Sequence, residues 1–485
     1  MNLKFYNQLT RRRDMFSPIE EGKVTLYTCG PTVYSDLTVG NWAAYIYWDT
    51  LVRVLRAHDL NVTRVLNITD VGHLVSDEDE GEDKLEKGAT REGKTAWEVA
   101  RLYTERFMDG MTSLNLVRPE HMPRATEYID QQLELVRTLK EKGHTYQIGD
   151  GIYFDSETFP QYADFAELDL EKQKAGARIE INPEKRNASD FALWKFTPEG
   201  QNRDMQWETP ADLTSDGDTP MGFPGWHLEC SAMVLELLGT TIDIHTGGID
   251  HIPVHHTNEI AQSQSANGVK LSNFWLHNNH LKVDGTKISK SLGNGYTLDD
   301  IIKHGFGPLD FRLFVLQGHY KSEGNFTFEN VEAAAHRRRH WRNIAALRHQ
   351  THDTLVEDTV VETESKTVAL YASSQAILEA LSDDLNSPLA LSIIDESFSL
   401  VEKSRANDIH QHALTSFLET IDELLGLDLL KTTPDITDEQ KQFIVARNRA
   451  RERQDFKEAD SMREKLEKQG VALRDTPSGV IWEYA

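Results

Sequence analysis

The chain has 485 residues, with 78 acidic against 52 basic side chains, a formal net charge of −26 and two cysteines. The acidic balance argues against indiscriminate nucleic-acid binding, the lack of a long apolar run argues against a membrane span or signal peptide, and two distant cysteines argue against a disulfide scaffold. This length exceeds one typical domain, so we expect a multidomain, monomeric cytoplasmic protein that enters no membrane.

The first part of the sequence predicts a parallel sheet. The run "VTLYT" with the turn "CGPTVY" predicts a strand, "NWAAYIYWDTLVRVLRAH" predicts an amphipathic helix, and "NVTRVLNIT" predicts a second strand. Strand, helix and strand in this order are typical of a β-α-β unit. Two further helices are predicted, in "AWEVARLYTERFMDGMTSL" and at 126–142.

The middle of the chain interrupts this pattern. Residues 144–196 contain short alternating stretches, "HTYQIGDGIYFD" and "ARIEI", that predict an insertion with small strands. After it, "TIDIHTGGID" predicts a strand ending in glycines, and a helix opens near "HHTNEIAQSQSA". From about 328 to 428 the pattern is helical, 431–438 predicts a linker, and a small unit closes the chain.

The two cysteines, Cys29 and Cys230, belong to a possible metal site. His255 and Glu259 are four residues apart, so on a helix their side chains share one face and could grip one ion. The four residues together offer two sulfur, one nitrogen and one oxygen donor, which suits tetrahedral zinc. Their spacing matches none of the compact zinc modules, however, and two buried thiols beside a polar helix start would give the same pattern.

A lysine-rich stretch, "LKVDGTKISKSLGN", suggests phosphate chemistry. Lys287 and Lys290 flank a serine between two glycines. Two ammonium groups on a loop bounded by glycines suit a triphosphate whose charge must be neutralised while pyrophosphate leaves. An ordinary surface turn rich in Lys and Ser would look similar.

Taken together, these stretches resemble the cysteinyl-tRNA synthetases, a class I aminoacyl-tRNA synthetase family. The blocks "YTCGPTVY", "NITDVGHL", "KRNASDFALWK", "GFPGWHLECSAM", "DIHTGGIDHIPVHHTNEIAQS" and "KISKSLGN" occur in the family's order and at comparable distances. The closing "ARNRARERQDFKEADSMREKLEKQGVALRDTPSGVIW" is similar to the family's anticodon-binding tail. The resemblance therefore covers essentially the whole chain.

The resemblance implies an α/β fold class: a Rossmann-like parallel-sheet catalytic domain split by an insertion, then an α-helical bundle and a small C-terminal anticodon-binding unit. The predicted boundaries are 1–120 and 201–270 for the two halves of the catalytic domain, 121–200 for the insertion, 271–327 for a lysine-loop and stem-contact region, 328–430 for the bundle and 439–485 for the anticodon-binding unit.

The resemblance also implies one zinc ion per chain, held by Cys29, Cys230, His255 and Glu259. Cysteine and serine are nearly the same size, so a shaped pocket alone would separate them poorly. Zinc is a borderline-soft Lewis acid and binds a thiolate better than an alcohol. By the same resemblance, the amino-acid pocket would include three further residues: Trp226, His227 and Thr32. A Trp in an ordinary core is the alternative for Trp226.

The implied reaction is activation of cysteine by ATP, accompanied by Mg²⁺, to cysteinyl-AMP, followed by transfer to the 3′ end of tRNA(Cys). Lys290, assisted by Lys287, would contact the leaving pyrophosphate. Gly40 and Asn41 would lie under the nucleotide. Gly248 and Asp250 follow a strand, at the usual ligand face of such sheets. Asp250 would meet either the substrate ammonium group or the ribose.

One motif departs from the family pattern. Class I synthetases carry a motif of the type His-x-Gly-His, whose last place is often Asn in the cysteine family, and here it reads "TVGN", with Thr38 first. Threonine offers a shorter, neutral hydroxyl, so a direct contact with the nucleotide could be lost, although we still count Thr38 among the catalytic residues.

Three rival functions follow from these features. A ligase joining cysteine to a small amine is opposed by the long tail, and a zinc hydrolase is opposed by the ATP motifs. A non-catalytic tRNA-binding paralogue is favoured by Thr38.

The terminal unit is expected to read the anticodon, whose unpaired bases are open to stacking and to edge hydrogen bonds. By resemblance, Arg451, Asp460 and Asp475 would contact these bases and Phe456 would stack on one. Phe456, Ala459, Met462 and Leu466 are also spaced like the buried stripe of an ordinary helix, which leaves a purely structural interpretation open.

Overall fold

A computed structural model describes residues 2–72, 84–169, 182–201, 203–289, 292–350, 360–403, 411–476 and 479–485. The chain divides into two compact units, one of residues 1–300 with 320–325 and one of residues 301–319 with 326–485. Lys290 and the strand predicted at "ARIEI" lie outside the described residues. Among the helices of the described part, none has the length and apolar character needed to cross a membrane.

The first unit combines strands and helices. Its strands are β1 (Lys4–Asn7), β2 (Arg12–Met15), β3 (Lys23–Thr28), β4 (Asn61–Leu66), β5 (Thr145–Ile148), β6 (Gly151–Phe154), β7 (Phe191–Phe196), β8 (Trp207–Glu208), β9 (Met221–Pro224), β10 (Ile242–Gly248), β11 (Ser272–Asn278), β12 (Leu281–Val283) and β13 (Gly324–Phe326). Its helices are α1 (Val39–Ala57), α2 (Lys84–Glu92), α3 (Ala96–Ser113), α4 (Ile129–Glu141), α5 (Trp226–Leu238), α6 (Thr257–Asn267) and α7 (Leu298–Lys303). The boundary between the units passes through α7 and β13.

A four-stranded parallel sheet forms the centre of this unit. Its strand order is β11-β10-β3-β4, and each neighbouring pair is parallel. The β3-α1-β4 unit predicted from the sequence is confirmed. Helix α1 buries Trp42, Ile46 and Leu51, and each fully buried side chain of this kind contributes about 1.5–3 kcal/mol relative to exposure. Because the strands are parallel, their carboxyl ends meet at one edge, where such sheets bind ligands.

The insertion forms a separate antiparallel sheet. Its strand order is β5-β6-β7-β9-β8, and its core joins apolar residues of α4 and α5 to those of the strands, among them Leu135, Phe154 and Trp194. The sheet includes β8 and β9, which follow residue 200, the predicted end of the insertion. Its charged residues pair internally, since Lys195 Nζ lies 2.6 Å from Asp150 Oδ2. The domain boundaries stay predictions.

The second unit is helical apart from a terminal hairpin. Its elements after α7 and β13 are α8 (Pro308–Leu316), α9 (Phe328–Ala345), α10 (Val360–Ser382), α11 (Ser387–Lys403), α12 (Gln411–Leu425), α13 (Asp438–Glu452), α14 (Phe456–Lys468), β14 (Val471–Thr476) and β15 (Gly479–Tyr484). The last two strands pair antiparallel. Leu466, Val471 and Trp482 form a small core with Ala346, so the tail packs on the end of the bundle.

Candidate active site and metal centre

A cavity of about 490 Å³ opens at the carboxyl edge of the parallel sheet. Its walls come from the turn after β3, the start of α1, the turn after β4, the start of α5, the end of β10 and the segment 278–289. That segment includes the described first part of the stretch "LKVDGTKISKSLGN", which we call the lysine loop. The structure brings most of the predicted site residues to these walls: Cys29, Thr32, Thr38, Gly40, Asn41, Trp226, Cys230, Gly248, Asp250, His255 and Lys287. His227 and Glu259 are buried and are not among the residues that line the cavity.

The four predicted metal ligands converge. The donor atoms of Cys29, Cys230, His255 and Glu259 all lie within 4.8 Å of one another, and the four residues are buried. His255 belongs to a π-helical turn, Ile252–His256, that runs directly into α6, and its Nε2 lies 3.0 Å from Glu259 Oε1. Two sulfurs, one imidazole and one carboxylate, all from buried residues, form a donor set that fits zinc.

A second donor set overlaps the first. Cys29, His245, His256 and Glu259 also bring their donor atoms within 4.8 Å of one another. His256 Nε2 lies 3.3 Å from Cys29 Sγ, while its Nδ1 lies 2.7 Å from His277 Nε2. His245 and His256 do not line the cavity, whereas three ligands of the first set do. A substrate in the cavity therefore has access to the first set.

Charge and burial compete within this cluster. Burial would raise the pKa of Glu259, but the imidazoles of His245 and His255 lower it below its usual range. Burial would lower the pKa of His255, but the Glu259 carboxylate raises it to about 10. A hydrogen bond from Cys29 lowers the pKa of Cys230, whereas burial raises the pKa of Cys29. The raised pKa values mean that His255 and Cys29 hold their protons, so a metal ion would have to displace those protons in order to bind.

Two further histidines contact the predicted metal ligands. His245 Nε2 lies 2.9 Å from Glu259 Oε2, and His227 Nδ1 lies 3.0 Å from His255 Nδ1. Groups of this kind fix the orientation of metal ligands. His227, predicted in the amino-acid pocket, thus contacts His255, while the Trp226 ring lies on the cavity wall with its centroid 4.6 Å from that of His255.

The opposite part of the cavity is built by the start of α1 and the lysine loop. Thr38 precedes α1, and both its N–H and its hydroxyl donate to Asn41 Oδ1, at 3.0 and 2.8 Å. A Cβ on Gly40 would lie 2.9 Å from Ile288 Cδ1, so the end of the Ile288 side chain would have to shift to admit a larger residue. The glycine of the motif therefore leaves room for the Ile288 side chain at the start of α1.

Asp250 lies between two cationic or protonatable groups. Lys287 Nζ is 3.6 Å from Asp250 Oδ1, and His280 Nε2 is 3.3 Å from the same oxygen. All three side chains are at least partly exposed. The Asp250 carboxylate therefore lies on the cavity wall and is also close to Lys287 of the lysine loop.

Sequence reasoning missed a chain of polar groups in the wall of the cavity. Gly30 N donates to Asn67 Oδ1 at 2.7 Å, Asn67 Nδ2 donates to Thr69 Oγ1 at 3.1 Å, and Thr69 Oγ1 donates to Glu229 Oε2 at 2.8 Å. This chain fixes the backbone next to Cys29. Its signal was present in the blocks "NITDVGHL" and "GFPGWHLECSAM", whose polar residues occur among apolar ones.

In the terminal unit, Asp475 is engaged by arginines. Arg447 donates to both of its carboxylate oxygens at 2.8 Å and Arg451 donates to Oδ2 at 2.6 Å. The hydrogen bonds from Arg447 and Arg451 lower the pKa of Asp475 to about 2. Arg447 was not predicted, and it links helix α13 to the hairpin.

The helix that carries Phe456 is only partly a buried stripe. Ala459 and Leu466 are buried, but Phe456 is 62% exposed at the start of α14. The structural interpretation therefore accounts for Ala459 and Leu466 and does not account for Phe456. Asp460 is exposed on the same helix.

The sequence matches two protein families. Residues 15–336 match the family described as tRNA synthetases class I (C) catalytic domain, and residues 433–482 match the cysteinyl-tRNA ligase anticodon binding domain. A cysteine–tRNA ligase of Treponema denticola is 39% identical over 507 residues, covering 100% of both chains. Cysteine–tRNA ligase 1 of Burkholderia lata is 39% identical over 483 residues, covering 99% of this chain and 96% of the relative.

Solved structures share the fold at low identity. A methionyl-tRNA synthetase of Mycobacterium tuberculosis in complex with methionyl-adenylate has a TM-score of 0.57 at 16% identity, covering 84% of this chain and 92% of the other. A leucyl synthetase of Agrobacterium radiobacter, in a ternary complex with tRNA, has a TM-score of 0.59 at 12% identity and 87% coverage of both chains. These neighbours agree with the Rossmann-like α/β fold class predicted from the sequence.

Proposed function

The chain belongs to the cysteine–tRNA ligases, a family of class I aminoacyl-tRNA synthetases, and from this premise we propose that it activates cysteine with ATP and transfers it to the 3′ end of tRNA(Cys). One observation carries the proposal: a single cavity is lined both by thiol-bearing metal ligands and by the start of α1 with the lysine loop. The thiol-bearing residues suit a thiol substrate, and the start of α1 with the lysine loop suits a nucleotide. We further propose that the enzyme is a cytoplasmic monomer.

The amino-acid end of the proposed site holds one zinc ion through Cys29, Cys230, His255 and Glu259. When bound, zinc would supply a Lewis acid that favours a thiolate over a hydroxyl, and so would separate cysteine from serine. The chain's own residues shape the rest. Trp226 and Thr32 both line the cavity, and the hydrogen-bonded chain from Gly30 to Glu229 keeps the turn around Cys29 in place.

At the nucleotide end, the cysteine carboxylate attacks the α-phosphate of ATP, bound as its Mg²⁺ complex, and pyrophosphate leaves. No enzyme nucleophile is needed, so the protein acts by positioning the reactants and compensating charge. Lys290, assisted by Lys287, is expected to neutralise charge on the leaving pyrophosphate, and Gly40, Asn41 and Gly248, which line the cavity, are expected to contact the nucleotide. Asp250 binds the substrate ammonium group or the ribose, and Lys287 leaves Asp250 when it engages phosphate.

Two assays on the purified protein test this function. We expect cysteine-dependent exchange of pyrophosphate into ATP and charging of tRNA(Cys) with cysteine, with little exchange when serine replaces cysteine. Exchange without tRNA charging would indicate the small-amine ligase. A protein that binds tRNA(Cys) but gives no exchange above background would be the non-catalytic paralogue, and either result would overturn the proposal.

We propose that the terminal unit binds the anticodon of tRNA(Cys) through Phe456, Arg451, Asp460 and Asp475. The exposed ring of Phe456 supports this role, because base stacking on an aromatic side chain is worth about 1–3 kcal/mol. Asp475 is held by Arg447 and Arg451, so Arg451 and Asp475 are expected to contact the bases as one unit.

Phe456→Ala is therefore expected to lower kcat/KM for tRNA(Cys) by about 5- to 150-fold, the range that corresponds to loss of one stacked base. Pyrophosphate exchange should not change, because it needs no tRNA. The matched control is Val445→Ala, which removes another exposed apolar side chain of the same unit, 48% exposed, and should leave both activities unchanged. Equal kcat/KM for Phe456→Ala and the native enzyme would exclude the stacking role.

Point variants are the right test here because the tail is anchored in the second unit. Gln350 donates to the Trp482 carbonyl at 2.9 Å and accepts from Trp482 N at 2.8 Å, and Ala346 packs in the core of the tail. Deleting 439–485 would expose this surface as well as remove the anticodon contacts. A loss of activity in the deletion variant would not distinguish the exposed surface from the missing anticodon contacts.

A further inference from the structure

The start of α1 departs from the class I motif at Thr38, and the structure shows which groups that residue contacts. We propose that Thr38 is a positioning residue: it holds the side-chain oxygen of Asn41, so that the Asn41 NH₂ group is the donor available to the nucleotide. This inference rests on the proposed function. In this proposal two residues replace the motif histidine: Thr38 orients the Asn41 amide, and Asn41 donates the hydrogen bond to the nucleotide.

The orientation of the Asn41 amide follows from hydrogen-bond chemistry. The backbone N–H of Thr38 lies 3.0 Å from the terminal atom of Asn41, and a backbone N–H can only donate. The atom that faces it must therefore be the amide oxygen. The Thr38 hydroxyl reaches the same oxygen at 2.8 Å. With both donors on one side, the NH₂ group is directed away from Thr38.

The same contacts limit what Thr38 can do for a phosphate. A threonine hydroxyl has one proton, and here that proton is donated to Asn41. Phosphate oxygens are acceptors and need donors. Of the two side chains, Asn41 is the one with two N–H donors left after this contact, and it lines the cavity together with Lys287. Thr38 thus acts through Asn41.

The surroundings of Thr38 make the arrangement rigid. Thr38 forms a short β-bridge with Thr297, and the next residue, Val39, donates from its N–H to the Tyr296 carbonyl at 2.8 Å. The Thr38 methyl group points toward Gly295, because a Cβ built on that glycine would lie 3.5 Å from Thr38 Cγ2. The hydroxyl and the methyl group therefore have separate contacts, and two conservative variants can remove one without the other.

Pyrophosphate exchange at varied ATP concentration tests the inference with the full-length enzyme. Thr38→Val keeps the methyl contact and loses the hydroxyl, and we expect kcat/KM for ATP to fall about three- to tenfold, the range for one hydrogen bond. Thr38→Ser keeps the hydroxyl and should restore activity to within about twofold of native. A merely structural role in starting the helix would lower the unfolding temperature of Thr38→Val and leave its kcat/KM unchanged, which would overturn the inference.

A double-mutant cycle separates action through Asn41 from direct contact. In an Asn41→Ala background, Thr38→Val should cost nothing further. The same fold loss in both backgrounds would mean that Thr38 contacts the nucleotide itself, and would overturn the inference while leaving the proposed function intact. If native protein gives no cysteine-dependent exchange, the proposed function fails and this inference fails with it.

A second variant of Asn41 tests the donor itself and does not depend on Thr38→Val folding. Asn41→Asp keeps an oxygen that can accept from Thr38 and removes both N–H donors. We expect it to lose at least as much kcat/KM for ATP as Asn41→Ala. Native activity in Asn41→Asp would show that the NH₂ group is not the donor.

Discussion

Replacing Cys230 by alanine is expected to reduce bound zinc from one ion per chain to nearly none. The variant removes one of four donors whose atoms lie within 4.8 Å of one another. Even a group behind the ligands is worth about 10- to 100-fold in metal affinity, so loss of a direct ligand should cost more than about 100-fold. The preference for cysteine over serine in pyrophosphate exchange should fall as well, because the remaining pocket separates two residues of nearly equal size poorly.

The overlapping donor set provides the matched control. His256→Gln alters the set of Cys29, His245, His256 and Glu259 and leaves the first set complete. Zinc is counted by elemental analysis of protein purified without chelator. If Cys230→Ala retains its zinc and His256→Gln loses it, the ion lies in the second set and the proposed ligand assignment is wrong. Native protein free of zinc would refute both sites.

The sequence predicted the parts of the site that depend on local pattern. A strand that ends at Thr28, just before Cys29, and another that ends at Gly248 were both predicted from apolar runs followed by glycines. In a parallel sheet these ends share one edge, so a common cavity follows from the strand pattern alone. The spacing of His255 and Glu259 likewise required only a helical geometry.

The remainder depends on contacts between distant segments. Thr69 and Glu229 are 160 residues apart and meet only because α5 packs against the turn after β4. His245 of β10 contacts Glu259 of α6, but six of the seven residues of β10 are buried, so the burial of His245 gave no sign of this contact. The spacing of apolar residues along a helix or strand gives no information about contacts between such distant residues. The link between Arg447 and Asp475 is of the same kind, because it joins a helix to a hairpin.

The exposure of Phe456 shows that helical spacing alone does not predict which residues of a helix are buried. Its spacing with Ala459, Met462 and Leu466 also suited one buried stripe, the alternative to a stacking role, but Phe456 is the first residue of its helix and has no preceding helical turn to cover it. Whether such a residue is buried depends on what packs against the end of the helix. The sequence pattern does not contain that information.

Lys290→Ala is expected to lower the rate of pyrophosphate exchange by about 30- to 1000-fold, because one preorganised group that stabilises developing charge is worth about 2–4 kcal/mol. The change should appear mainly in kcat, with cysteine binding nearly native, since the charge is needed where pyrophosphate departs. Lys287→Ala should lower the exchange rate less, because Lys287 is 70% exposed and lies 3.6 Å from Asp250, so its charge is partly screened.

The matched control is Lys282→Ala: this lysine lies in the same segment, pairs with Glu323 at 2.8 Å and does not line the cavity. It should exchange at the native rate. Equal losses in Lys290→Ala and Lys282→Ala would show that the segment acts through its general positive charge, and a native rate in Lys290→Ala would exclude this lysine from the chemistry.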